Sequence, residues 1–221
     1  MKLNIHAGHN PSGKVGCGAT EFLDESKENR KVLKRVKKLL KKYGVTYYDC
    51  TENNGVNPKD ILKKICNKEH KHNVDFNISI HLNSGGGYGS EVWLHHNTDK
   101  KTELFAKIMC LYLSNVSKKN RGTKFTDNLY VLNDSPKNSI LLELCFVDSK
   151  SDFKTYSYKK YANEIVNAIV FYWLRYELKR NIFFKKNVGS VTSVFVKKGK
   201  RYIKGTKSTI LFYKNLKKIV K

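Results

Sequence analysis

Three short segments carry residue types that could do chemistry together. Ile5-His6-Ala7-Gly8-His9-Asn10 ends a β-prone run with a glycine beside a histidine, and Ile78-Ser79-Ile80-His81-Leu82-Asn83 sets a histidine at the end of an apolar run. Ser139-Ile140-Leu141-Leu142-Glu143-Leu144-Cys145-Phe146 places a lone acid among apolar neighbours. Two imidazoles with nearby carboxylates suit a catalytic zinc ion, which takes three protein donors, keeps a fourth position open and works beside an unbound carboxylate as general base. A single histidine at a strand end is more often a hydrogen-bonded polar residue than a ligand, so the reading rests on the combination. His6 and His9 both stand open as donors from the first segment. Glu143 is the stronger signal, because an acid flanked by Ile140, Leu141, Leu142 and Leu144 is costly to bury unless it is paired, protonated or near a metal.

These residues can meet only if their segments are neighbours, and the pattern along the chain supplies such a frame. Short runs rich in branched and aromatic residues predict strands at Lys2 to His6, Val45 to Asp49, Asp75 to Ile80, Gly89 to Leu94, Leu129 to Leu132 and Ser139 to Phe146. Between them, apolar residues recur at helical spacing. Residues 26 to 43 align Val32, Val36, Leu39, Leu40 and Tyr43 before Gly44, residues 58 to 69 start at Pro58, and residues 99 to 116 and 158 to 178 carry similar stripes. The alternation implies an α/β domain: a twisted, mostly parallel sheet of about six strands with helices on both faces. In such sheets ligands bind outside the carboxyl ends of the strands, where His6, His9 and His81 fall.

The 221 residues leave room for one catalytic domain, 1–178, and a small segment, 179–221. That segment is β-prone in pieces at Val191 to Lys197, Arg201 to Ile203 and Ser208 to Tyr213. The net charge is +24, and from Leu178 to Lys221 there are 14 Lys and Arg and no Asp or Glu. The segment should be drawn to polyanions, and charge alone does not choose among nucleic acid, an anionic membrane and anionic wall polymers. No apolar stretch approaches the ~20 residues of a membrane helix, so no membrane span is expected. The start lacks a signal-peptide pattern, which predicts synthesis in the cytoplasm without a leader. Five cysteines without a C-x-x-C pair argue against a disulfide framework and against a thiolate zinc site.

Five pieces in order, A-G-H-N at 7 to 10, D-E-S-K-E-N-R-K-V at 24 to 32, I-S-I-H-L-N at 78 to 83, N-R-G at 120 to 122 and L-L-E-L-C-F at 141 to 146, carry a family resemblance. Over roughly residues 1 to 175 the chain resembles the type 3 N-acetylmuramoyl-L-alanine amidases, especially those of clostridial phage endolysins and autolysins. The resemblance implies a sheet with helices on both sides and one Zn2+ per chain. It also implies hydrolysis of the amide bond between N-acetylmuramic acid and L-alanine in peptidoglycan. It puts the zinc ligands on His9, Glu25 and His81 and the catalytic base on Glu143. Many relatives carry aspartate where this chain has His6. Glu21 and Glu28 compete with Glu25, which is preferred because it follows the N-cap residue Asp24 and directly precedes the amphipathic helix. Asn83 and Arg121, the latter in the N-R-G segment read as a loop, are expected to touch substrate, Arg121 by matching a stem-peptide carboxylate. His70, His72, His95 and His96 match no motif and are expected at the surface.

On this reading the partners are peptidoglycan and, through 179–221, anionic wall polymers, with action on the wall after release. Two rival readings are a nucleic-acid-binding protein, suggested by the charge and 13 tyrosines, and a wall-binding module without activity. No helix-turn-helix, zinc-finger or RNP-like motif supports the first.

Overall fold

The computed structural model describes residues 1–135, 137–174, 183–184, 189–197 and 200–206. Two compact units are distinguished, Met1–Ile169 and Val170–Lys221. The first is built on a six-stranded sheet in the order β2-β1-β3-β6-β4-β5. Its strands are β1 (Lys2–Ala7), β2 (Thr46–Asp49), β3 (Phe76–Asn83), β4 (Ser90–Leu94), β5 (Asn120–Phe125) and β6 (Ser139–Phe146). Pairing is parallel except between β4 and β6. The helices are α1 (Glu25–Lys42), α2 (Pro58–Glu69), α3 (Lys100–Ser117), α4 (Tyr130–Asn133), α5 (Lys150–Thr155) and α6 (Tyr158–Tyr172). No described helix is long and apolar enough to cross a membrane.

Local chemistry sets the helix ends. Asp24, Asn57, Asp99 and Ser149 each accept a backbone N–H of the first turn of α1, α2, α3 and α5, satisfying donors that the helix itself cannot pair. Pro58 opens α2, where its missing N–H costs nothing. α1 gives way to Gly44 at φ 66°, the left-handed geometry that glycine adopts without strain.

The two sheet faces differ in kind. Leu3, Ile5 and Ala7, then Phe76, Ile78, Ile80 and Leu82, then Ile140, Leu142 and Leu144 alternate onto one face and are 0–2% exposed. Phe105 of α3 stacks on Phe76 there, with ring centroids 4.3 Å apart. The other face mixes polar and apolar residues. Asn4 donates to Asn77 Oδ1 at 2.8 Å, and Asn77 donates to Ser139 Oγ at 3.1 Å. Farther along the same face, Leu141 and Trp93 pack with Ile61, Ile65 and Cys66 of α2 and Val131 and Leu132 of α4. The crossovers through α1 and α2 run in opposite directions along the sheet, which with right-handed connections puts these helices on opposite faces.

Several expectations need correction. Leu129 to Leu132 is not a strand; Leu129 caps α4, and the N–H groups of Leu132 and Asn133 both donate to the Leu129 carbonyl. A four-residue apolar run does not distinguish strand from helix, and contact with α2 decides for the helix. Asn120–Phe125 is an edge strand and not a loop, hidden from pattern reading by its polar composition. Helix α5 was not foreseen.

The second unit contains β7 (Phe183–Phe184), β8 (Gly189–Lys197) and β9 (Lys200–Thr206), forming a three-stranded sheet in the order β7-β9-β8. β8 and β9 cover the β-prone pieces expected at 191–197 and 201–203. The piece at 208–213 lies outside the described residues.

Ile80 is fully buried in β3, which has neighbours on both sides. Ile80→Ala should therefore cost about 2–5 kcal/mol, and Ile80→Val about 1 kcal/mol, by equilibrium urea unfolding with an unchanged slope. A cost below ~1 kcal/mol for the alanine variant would contradict this placement.

Candidate metal centre

The register of the sheet assembles the site. Parallel pairing sets Ala7 opposite Ile80 and His81 opposite Glu143, and antiparallel pairing sets Glu91 opposite Glu143. His9 follows the end of β1, and Glu25 opens α1. His9, Glu25 and His81 each offer one ligand atom, and the three atoms lie within 4.8 Å of one another. Glu25 Oε1 is 2.9 Å from His81 Nδ1 and 3.2 Å from His9 Nε2. It also accepts the Leu82 N–H at 3.2 Å, while Oε2 accepts that of Ala19 at 3.1 Å.

The competing residues are placed elsewhere. His6 is buried under the sheet with Nδ1 3.1 Å from Glu69 Oε1. Glu28 binds Lys31 Nζ at 2.6 Å and accepts from the Tyr156 hydroxyl at 2.9 Å. Glu21 is exposed. Of the remaining histidines, His72 stacks on Tyr48, and His95 is covered to 13% side-chain exposure against Asp127, so it is less superficial than expected. His70 and His96 are exposed. All five cysteines are free thiols.

Close packing demands glycine around the donors. A Cβ on Gly8 would sit 2.0 Å from His81 Cε1, and one on Gly18 would sit 2.2 Å from Glu25 Oε2. His9 itself has φ 62°, a left-handed backbone that carries a steric cost in any residue with a Cβ. Arg30, one turn into α1, holds this backbone from behind. It donates to the carbonyls of His9 (2.7 Å), Glu52 (2.9 Å) and Ser26 (3.1 Å) and to Asn53 Oδ1 (3.0 Å). Asn10 adds donations to Val15 and Gly55 carbonyls at 2.8 and 2.7 Å.

The carboxylates are driven apart in acidity. Burial pushes Glu25 up, but hydrogen bonds and charge from His81 and His9 outweigh it and hold the group well below the ordinary range. Burial, opposed by Glu25, lowers His81, which favours the neutral imidazole a metal requires. Glu143 is raised far above the usual value, by burial first and then by the charges of Glu25 and Glu91. Its Oε2 is buried with no hydrogen-bond partner among the described residues.

Sequence reading missed Glu91, which is 2% exposed. It accepts from Arg121 Nε at 2.6 Å, Asn83 Nδ2 at 2.9 Å and Trp93 Nε1 at 3.1 Å. The signal was available, since an acid inside Ser-Glu-Val-Trp-Leu asks for partners as Glu143 does. Asn83 and Arg121 are thus both engaged with Glu91, and the Arg121 guanidinium also lies 4.9 Å from the Phe146 ring centroid.

Residues 4–171 match the family described as N-acetylmuramoyl-L-alanine amidase. The chain belongs to this family. An uncharacterized 38.4 kDa protein of Clostridium perfringens is 34% identical over 165 residues, covering 72% of this chain and 47% of that one. The sporulation-specific N-acetylmuramoyl-L-alanine amidase of Bacillus subtilis is 36% identical over 80 residues, covering 36% of this chain and 31% of its own length. The catalytic domain of the CD27L endolysin targeting Clostridia difficile superposes with a TM-score of 0.69 at 26% identity, covering 77% of this chain and 97% of that one. The chain spans about half the length of the first two curated relatives it matches. The nucleic-acid-binding and non-catalytic readings are not favoured.

Two outcomes test the geometry. Gly8→Ala must displace the His81 ring, so divalent metal affinity measured by chelator competition should fall at least ~10-fold, the range seen when ligand-orienting groups are lost. An unchanged affinity would show that His81 is not a ligand. For Glu143 the sign follows from its raised value: between the ordinary carboxylate range and that value, the folded protein keeps a proton that the unfolded chain releases. Stability of the metal-free protein therefore falls with rising pH, by up to about 1.4 kcal/mol per unit. Metal-free Glu143→Gln lacks this loss, and its advantage in thermal unfolding should grow from about pH 4 to about pH 7; an advantage independent of pH would reject the assignment.

Proposed function

We propose that the chain is a zinc-dependent N-acetylmuramoyl-L-alanine amidase, with His9, Glu25 and His81 as zinc ligands and Glu143 as general base. The observation that carries this reading is the convergence of two imidazoles and a deprotonated carboxylate beside Glu143, whose buried Oε2 has no partner among the described residues. The donor set fits zinc, which prefers nitrogen and carboxylate oxygen and in catalytic sites takes three protein ligands. What zinc supplies when bound is a Lewis acid that polarises the scissile carbonyl and eases deprotonation of water.

The side chains divide the remaining work. Glu143 takes the proton of the attacking water, then returns it to the L-alanine nitrogen as the carbon–nitrogen bond breaks, leaving a lactyl carboxylate and a free amine. Unpaired and beside the charges of Glu25 and Glu91, it is a stronger base than an exposed glutamate once its own proton has left, which a cation held by His9, Glu25 and His81 would favour. Glu91, fixed by Arg121, Asn83 and Trp93, keeps that charge in place. Arg121 retains 32% side-chain exposure and is proposed, with Asn83, to meet the peptide stem. On this reading the enzyme acts on the wall after release from the cell that makes it, and 179–221 attaches it to anionic wall polymers.

Glu143→Gln is nearly isosteric and should keep the metal while losing ~10² to 10⁴ in rate on purified cell walls, the usual worth of a general base. Chelation should abolish wild-type activity, and zinc should restore it. The products should be free L-alanine amino groups without new reducing sugar ends; new reducing ends would mean a glycosidase and overturn the reading.

A further inference from the structure

The outer face of α1 carries a feature that neither fold nor catalysis uses. Lys27, Lys31, Lys34, Lys38 and Lys41 are all exposed. Their alternating spacings of four and three residues put them in one nearly straight row. At 1.5 Å per residue the row is about 21 Å long, with one ammonium per helical turn. The acids of α1, Glu25 and Glu28, are buried, and Glu28 pairs with Lys31 at 2.6 Å. Among the described residues, no carboxylate pairs with Lys27, Lys34, Lys38 or Lys41. Like charges at this spacing repel and weaken a helix, and inside the molecule only the Glu28–Lys31 pair and the place of Lys41 in the last turn offset that cost.

We propose that this row is a binding track for a linear, phosphodiester-linked polyanion of the cell wall, carried by the catalytic unit itself and separate from the basic segment 179–221. The choice of a wall polymer rests on the amidase reading above; the fit to a linear polyanion does not. A bilayer is disfavoured because the apolar residues of α1, Val32, Leu33, Val36 and Leu40, are buried against the sheet and leave nothing to insert. Sequence-reading of a duplex is disfavoured because the row offers lysine alone, with none of the arginine, asparagine or glutamine that recognise base edges. Flexible point charges suit a chain of phosphates without fixed edges. Position agrees: Glu25, the first residue of α1, belongs to the metal centre, and Lys27 starts the row two residues later. A polymer on the track would lie beside the strand being cut.

The test uses the full chain with Lys27→Gln, Lys34→Gln, Lys38→Gln and Lys41→Gln combined, keeping Lys31 for Glu28. Binding is measured to purified walls with their phosphate polymers intact, to the same walls stripped of those polymers, to duplex DNA and to anionic vesicles, over a salt series. Each phosphate contact contributes a slope of ~0.7 to 0.9 in log affinity against log salt for nucleic acid polyanions, so loss of four should flatten the slope by about 3. The expected result is at least ~10-fold weaker binding to intact walls at low salt, equal binding to stripped walls and unchanged hydrolysis of a soluble muropeptide. Equal affinity and slope on intact walls would overturn the proposal. So would an equal loss on stripped walls, or a loss confined to DNA or vesicles. If wild type cleaves no muropeptide, the amidase reading fails, while the comparison of intact and stripped walls still decides the track.

Discussion

A carboxylate held out of water between two imidazoles is the interaction on which the rest of the first unit, Met1–Ile169, depends. Glu25 is 4% exposed, and a buried charge is tolerated only where donors and opposite charge replace its hydration. Three separated pieces of chain provide that replacement: Ala19 in the loop before α1, His9 after β1, and His81 and Leu82 in β3. The start of α1 adds the positive end of a helix dipole. Because these donors arrive from different elements, the anion fixes the approach of α1 to the ends of β1 and β3. The glycines at 8 and 18 follow from the same constraint, since backbone must pass within contact distance of the donor side chains.

The sheet supplies the second half of the arrangement by treating two neighbouring acids in opposite ways. Glu91 and Glu143 face each other across β4 and β6, and both side chains lie on the polar face. Glu91 receives a guanidinium, an amide and an indole N–H. Glu143 receives none of these and takes the electrostatic consequence of its neighbour. Groups whose environments push their acidities apart mark an acid–base site, and here the separation comes from where the donors are spent. The apolar face, filled by Ile78, Ile80 and Leu142, stabilises the domain and allows the polar face to hold such unpaired groups.

Much of this was legible in the sequence because strong signals coincide with strong constraints. Strands β1 and β3 alternate apolar and polar residues, β6 is apolar except for Ser139 and Glu143, and α1 to α3 show plain 3.6-residue periodicity. His81 and Glu143 were visible as polar residues within those strands. What escaped was weakly patterned: the polar edge strand β5, the one-turn helix α4 and the six-residue α5. His6 and His9 look alike in sequence. Their alternation along β1 and the turn after it sends one under the sheet to Glu69 and the other to Glu25. Glu91 and Arg121 could not be paired from sequence, because their contact depends on β4 and β5 lying side by side at 30 residues' separation.

α1 is where these lines meet. Its first residue is the anion of the candidate metal centre, its buried stripe of Val32, Val36 and Leu40 packs on the sheet, and its outer ridge is lysine. Arg30 separates the two polar roles. Placed between Lys27 and Lys34, it would add to the outer charge, yet its guanidinium is turned inward and consumed by backbone carbonyls around His9. Five fixed donors in a plane suit that task as a lysine would not. The contrast explains why position 30 is arginine where the outer row is lysine: the inward position needs a rigid fork that holds a left-handed backbone, and the outward positions need only mobile charge. A single helix can therefore organise the centre and offer a basic edge without either demand disturbing the other.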